Sequence, residues 1–357
     1  MPSRHAVRIL SIDGGGIRGI IPAVLLAEIE RLTGRPACEL FDLIAGTSTG
    51  GIIALGLTVP GEQNSGAGRA PRWSANDLAD LYHREGPKIF HRSLVRTIET
   101  VDGLLVEKYG AKGLEEALER YMGGALLSDA LTDVLIPSYD IQKHEPFFFK
   151  SFKPRPHAGP APRDSAVKSG SAEPSPTSAD YPMTVVARAT SAAPTYFEPD
   201  HVLTSVPGSA PPDYALVDGG TFANNPAMCA YAEALRNQPG ADVFVVSLGT
   251  GRLTDSISYG RARHWGLVQW ARPLLGVIMD GSSAAIDYQL DELLGSDVGH
   301  FRFQAELEGV SDSLDDASIS NMDGLRELAE ASIASNAGRL AQVCERLSAP
   351  DRSPAHS

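Results

Sequence analysis

A chain of 357 residues with 43% hydrophobic and 21% charged residues can form one large globular domain or two ordinary ones. Its 31 basic and 44 acidic side chains leave a net charge of −13, which argues against nucleic acid as a partner and gives no general attraction to anionic bilayers. Three widely spaced cysteines (Cys38, Cys229, Cys344) exclude a disulfide scaffold, and no apolar run is long enough to span a bilayer or to serve as a signal-peptide core, so a cytoplasmic location, peripheral at most to a membrane, is expected.

Val7, Ile9, Leu10 and Ile12 form a short apolar strand that ends at Asp13-Gly14-Gly15-Gly16-Ile17-Arg18-Gly19. The spacing of Ile20, Ile21, Val24, Leu25, Ile29 and Leu32 predicts a helix, with Pro22 in its first turn and Gly34 as its stop. A second apolar run, Phe41 to Ala45, leads into Gly46-Thr47-Ser48-Thr49-Gly50 and then a helix from Gly51. This order opens an α/β sandwich with a parallel sheet.

Ser74 is expected to cap a helix through Leu78, Leu81 and Tyr82, and Leu114 to Tyr121 reads as another. Strands are expected at Asp133–Ile141 and Pro146–Phe152. Lys153 to Pro182 holds seven prolines among Ala, Ser and Gly and is expected to be a disordered insertion within a single domain whose core runs from about residue 7 to 347. Further on, Met183–Ser191 reads as a helix, Tyr214–Val217 as a strand ending at Asp218-Gly219-Gly220, Pro226–Arg236 as a helix and Val243–Leu248 as a buried strand. Trp265–Leu294 is expected as two helices broken near Gly276–Gly281, His300–Leu307 as an edge strand, and Met322–Leu347 as one closing helix.

Chemistry concentrates at three places. In the pentapeptide around Ser48, small residues at Gly46 and Gly50 permit the sharp strand-to-helix turn that exposes a serine hydroxyl over a helix N-terminus. Gly14, Gly15 and Gly16 offer consecutive backbone amides free of side chains, suited to an oxyanion hole, with Arg18 close by. The same loop satisfies G-x-G-x-x-G through Gly14, Gly16 and Gly19, so a dinucleotide or phosphate site stands as an alternative. Asp218 ends an apolar strand and is followed by Gly219 and Gly220, which allow close approach; strand ends on one side of an open sheet would bring it to Ser48. No histidine has catalytic flanks, although His264 or His300 would be needed by a triad esterase.

Taken together, these three motifs resemble those of the patatin-like phospholipase family. Ala189 to Phe197 and Trp270 to Leu275 match segments typical of it, and the resemblance runs from about Val7 to the last helix, leaving out mainly residues 153–182. It implies a three-layer α/β/α fold of the patatin type and a lipid acyl hydrolase with Ser48 as nucleophile and Asp218 as base. Gly14, Gly15 and Gly16 would line the oxyanion hole with Arg18 beside it, supported by Gly19, Gly46, Gly50, Gly219 and Gly220. Neither metal nor cofactor is implied; the partners implied are a phospholipid or lysophospholipid substrate and transient contact with a membrane surface. Some bacterial relatives are switched on by a nucleotide messenger in defence against phage, so a small-molecule activator stays open, as do the triad carboxylesterase and the nucleotide-binding signalling module.

Ser256–Met279 contains no Asp or Glu but carries Arg261, Arg263 and Arg272 beside Trp265, Trp270 and many aliphatic residues. Most of these apolar side chains are expected to be buried as a helix pair covering the sheet, with a subset at the pocket mouth touching lipid.

Overall fold

The structure, a computed structural model, describes residues 6–61, 70–90, 109–152, 180–203, 213–252, 257–270 and 273–349. The first half of the chain comprises β1 (Ala6–Ile12), α1 (Ile20–Thr33), α2 (Ala37–Leu40), β2 (Leu43–Gly46), α3 (Thr49–Thr58), α4 (Ala75–Ile89), α5 (Lys112–Met122), β3 (Asp133–Asp140) and β4 (Glu145–Lys150). Then come α6 (Met183–Thr190), β5 (Asp200–Leu203), β6 (Asp213–Asp218), α7 (Gly220–Ala223), α8 (Ala227–Asn237) and β7 (Asp242–Leu248). The chain closes with α9 (Tyr259–Ala262), α10 (Leu267–Trp270), α11 (Pro273–Leu294), β8 (His300–Phe303), α12 (Ile319–Ser335) and α13 (Ala337–Ser348).

One mixed sheet forms the middle layer. Its parallel part runs β3-β2-β1-β7-β8, while β4, β6 and β5 add antiparallel strands at the β3 end. The central strands are covered on both faces, which is why they read as nearly continuous apolar runs. Leu10, Ile44 and Val246 pack against Leu25 of α1, Ile53 of α3 and Leu325 of α12. Ile9, Leu43 and Val245 point the other way, toward Ala230 of α8 and Leu290 of α11. Alternate residues of the same strands thus feed two cores, and the three-layer α/β/α sandwich expected of the patatin type is the observed fold.

Three expectations change. The expected break at Gly276–Gly281 is absent: α11 continues through both glycines for 22 residues. The closing helix is two helices, parted at Asn336, whose side-chain amide donates to the Ser332 carbonyl at 2.9 Å instead of facing solvent. The insertion lies outside the described residues except for its last three, and those belong to the fold. Asp180 accepts from the Ser128 amide at 3.0 Å and hydroxyl at 2.6 Å, Tyr181 is buried edge-on against Phe149 at 5.0 Å, and Pro182 precedes α6.

Candidate active site

Ser48 occupies the turn between β2 and α3 with φ +56° and ψ −122°, a conformation that costs a non-glycine residue on the order of 1–3 kcal/mol and must be held by its surroundings. Its amide donates to Thr190 Oγ1 at 3.0 Å, and the Thr190 hydroxyl donates to the Pro137 carbonyl at 2.6 Å. Thr47 donates through its hydroxyl to Ala223 at 2.7 Å. The bend is tight enough that a Cβ on Gly50 would lie 2.2 Å from the Ile12 carbonyl oxygen. Gly46 ends β2, Gly50 is the second residue of α3, and Gly19 closes the short 3-10 turn before α1.

Asp218 reaches Ser48 by a route the parallel-sheet expectation did not contain. One edge of β3 is taken by β4; on the other, β2 pairs with Asp133–Leu135 and β6 pairs antiparallel with Ser138–Asp140. The C-terminal ends of β2 and β6 therefore point at each other along a shared edge and meet near Pro137. Ser48 and Asp218 line the same pocket there, and Gly220 donates its amide to Asp218 Oδ1 at 2.7 Å. Burial pushes the Asp218 pKa up to about 6, against the lowering effect of the neighbouring Ser48 hydroxyl and the Gly220 amide.

The glycine loop is divided in its duties. Gly14 donates its amide to the Asn224 carbonyl at 3.0 Å and accepts from the Thr250 hydroxyl at 2.6 Å. Ile17 donates to the Leu314 carbonyl at 2.9 Å, and Gly16 adopts φ +57° so close to that carbonyl that a Cβ would sit 2.1 Å from it. Among the described residues the amides of Gly15 and Gly16 have no acceptor, and both line the same pocket as Ser48 and Asp218. The Gly14 amide is therefore already engaged, and Arg18 lies buried beside the loop, its Nε 3.4 Å from the Gly15 carbonyl.

The cavity beside Ser48 and Asp218 is narrow, with a volume of about 80 Å³. Its walls are apolar: Ile52 of α3, Leu81 and Ile89 of α4, Phe90, Phe197, and Leu275 and Met279 of α11. No histidine lines it among the described residues. His300 is fully buried on Asp291 at 2.8 Å, and His264 is exposed beside Arg263, so neither serves Ser48 as a base.

A family model described as patatin-like phospholipase matches residues 10–231. Patatin-like protein 2 of Arabidopsis thaliana is 35% identical over 354 residues, covering 89% of this chain and 81% of its own length. The chain belongs to the patatin-like phospholipase family. Patatin-like protein 2 of Oryza sativa subsp. indica is 32% identical with 94% of this chain covered and 85% of its own. A further relative, from Solanum tuberosum, is named a probable inactive patatin, 32% identical over 88% of this chain and 83% of its own. Membership in the patatin-like phospholipases implies lipid acyl hydrolysis, and the presence of that relative makes the geometry around Ser48 the deciding matter.

Sequence reasoning missed the ion cluster behind the patatin-like glycine loop. Arg302 of β8 grips Asp13 with two hydrogen bonds, Nη1 to Oδ1 at 2.9 Å and Nη2 to Oδ2 at 2.6 Å, and reaches Asp287 at 3.1 Å. Asn225 donates to Asp287 at 2.9 Å and accepts from the Ala227 amide at 3.0 Å, while Asn224 donates to Ser283 at 3.1 Å. Burial opposes the charge on Arg302, but Asp13 and Asp287 outweigh it and raise its pKa. On edge strand β8, the Arg302 side chain is only 12% exposed. The available signal was a lone charge between Phe301 and Phe303, mirrored by Asp13 at the end of an apolar strand.

Proposed function

We propose that this chain hydrolyses fatty-acyl esters of phospholipids or lysophospholipids through a Ser48–Asp218 dyad. The observation that carries the reading is the Ser48 hydroxyl against a buried Asp218 carboxyl, at an apolar pocket that also presents the unengaged amides of Gly15 and Gly16. Ionised Asp218 takes the Ser48 proton as Oγ attacks the acyl carbonyl, and the carbonyl oxygen develops its charge against the two glycine amides. The ester C–O bond then breaks and the leaving alcohol takes the proton from Asp218; water, deprotonated by Asp218, attacks the acyl-enzyme, the acyl–Oγ bond breaks to release the fatty acid, and Ser48 Oγ takes the proton back from Asp218. An aspartate raised to about 6 is a stronger base than an ordinary one and is still ionised at neutral pH.

The assay is release of fatty acid from phosphatidylcholine and lysophosphatidylcholine by the wild type and by Ser48→Ala. Release by both alike would end the proposal. The pH dependence is a second check. Because the reacting form is the ionised one, kcat/KM should climb with pH through a midpoint of about 6 and level off above it. A rate that falls over that interval would remove Asp218 as the base.

A further inference from the structure

Helix α11 presents an outer face unlike that of an ordinary surface helix. Between Leu274 and Tyr288 its exposed residues include Leu274, Val277, Ile278, Ala285 and Tyr288, and no exposed charged residue occurs before Glu292. Leu274 and Val277 are each 46% exposed and Ile278 is 43% exposed. This corrects the expectation that the apolar residues here are mostly buried. A surface helix normally turns a charged face to water, and an apolar strip about 21 Å long calls for a partner.

We propose that this face docks on the surface of an anionic phospholipid bilayer and admits acyl chains from it to the Ser48 pocket. The inference rests on the lipid-hydrolase reading above and adds the surface that meets the substrate. Three observations carry it. First, the inner side of the same helix turns is the pocket wall, through Leu275 and Met279, so apolar surface continues from the exterior toward Ser48. Second, the 24 residues from Ser256 to Met279 form the longest acid-free run in a chain of net charge −13. In that run Arg261 and Arg263 are exposed, which suits anionic headgroups. Third, Trp265 packs edge-on against Trp270 at 5.1 Å with Arg261 5.9 Å from its ring, the mixture of aromatic and basic groups that settles at a lipid interface. The acidic residues of α11 on this stretch turn inward: Asp287 is engaged by Arg302 and Asn225, and Asp280 is half-buried toward the charge of Arg18.

The test is flotation with vesicles of phosphatidylcholine, with and without phosphatidylglycerol, using Ser48→Ala so that the lipid stays intact. Adding Val277→Glu and Ile278→Glu should lower binding to both vesicles by about tenfold or more. Adding Arg261→Glu and Arg263→Glu should cost about fivefold per arginine on the phosphatidylglycerol vesicles and little on the others. With Ser48 restored, the Val277→Glu/Ile278→Glu protein should cleave a water-soluble short-chain ester within about twofold of wild type, since both side chains lie outside the pocket, while losing activity on vesicles. Unchanged vesicle binding by that variant would overturn the proposal. So would a wild-type dimer that the same substitutions convert to a monomer in light scattering, because a second copy would then cover the face. Vesicle binding without any ester cleavage by the wild type would instead refute the hydrolase reading alone.

Discussion

Asp218→Asn is expected to stop ester hydrolysis and to make the fold more stable. Without the base, turnover should fall by roughly 10³-fold or more, and Ser48→Ala should do the same; the double variant should lose little further, because the two groups act as one unit. The stability change has the opposite sign. An unfolded aspartate titrates near 3.8, whereas burial holds the folded Asp218 at about 6. Below the lower value both states are protonated and the carboxyl costs the fold nothing. As pH rises through about 6 the buried group ionises, and the cost reaches about 3 kcal/mol at neutral pH. Asparagine keeps an oxygen for the Gly220 amide and cannot ionise. Its advantage in Tm over wild type should therefore grow between pH 4 and 6, roughly, and then level off. Equal Tm values at neutral pH would mean that the site solvates Asp218 far better than its burial suggests.

Arg302→Ala is expected to damage both fold and rate. It would leave Asp13, 1% exposed, without its charge partner at the root of the glycine loop. Breaking such a buried pair from one side costs about 3–5 kcal/mol, a fall in Tm on the order of 10 °C. Replacing both residues, Asp13→Leu with Arg302→Met, should recover much of that stability, since no charge is then stranded. Arg302→Lys should lie between, keeping the charge but losing the second hydrogen bond. The loop carries the Gly15 and Gly16 amides, so turnover should drop more than KM rises in variants that remain folded. An Arg302→Ala protein with wild-type Tm and turnover would show the cluster to be ornamental.

The residues with local signatures were legible in the sequence. Ser48 sits in a turn where Gly46 is demanded by the Gly50 backbone and Gly50 by the Ile12 carbonyl of β1, and Asp218 ends an apolar strand next to two glycines. The meeting of the two was foreseen, but by the wrong path. Strand ends on one side of an open sheet were expected to converge, whereas Asp218 arrives on an antiparallel strand that meets β2 end-on. The glycine loop shows the same limit. Three amides look equivalent in sequence, and only Asn224, some 210 residues later, decides that Gly14 is occupied. Helix α11 ran through Gly276 and Gly281 because a glycine costs a helix only about 1 kcal/mol, which Met279, Ser283 and Leu290 offset by packing on its inner side. The outward apolar face was misread because periodicity reports which residues share a face and not whether anything covers it.

The most direct measurement is intact-mass spectrometry after reaction with a fluorophosphonate. A dyad serine is activated enough to be phosphonylated, so the wild type should gain one adduct, and peptide mapping should place it on Ser48. Ser48→Ala should gain none, and Asp218→Asn should react far more slowly, since its serine keeps its proton. An adduct of undiminished yield in Ser48→Ala, or no adduct on folded wild type, would contradict the assignment of Ser48 as the nucleophile.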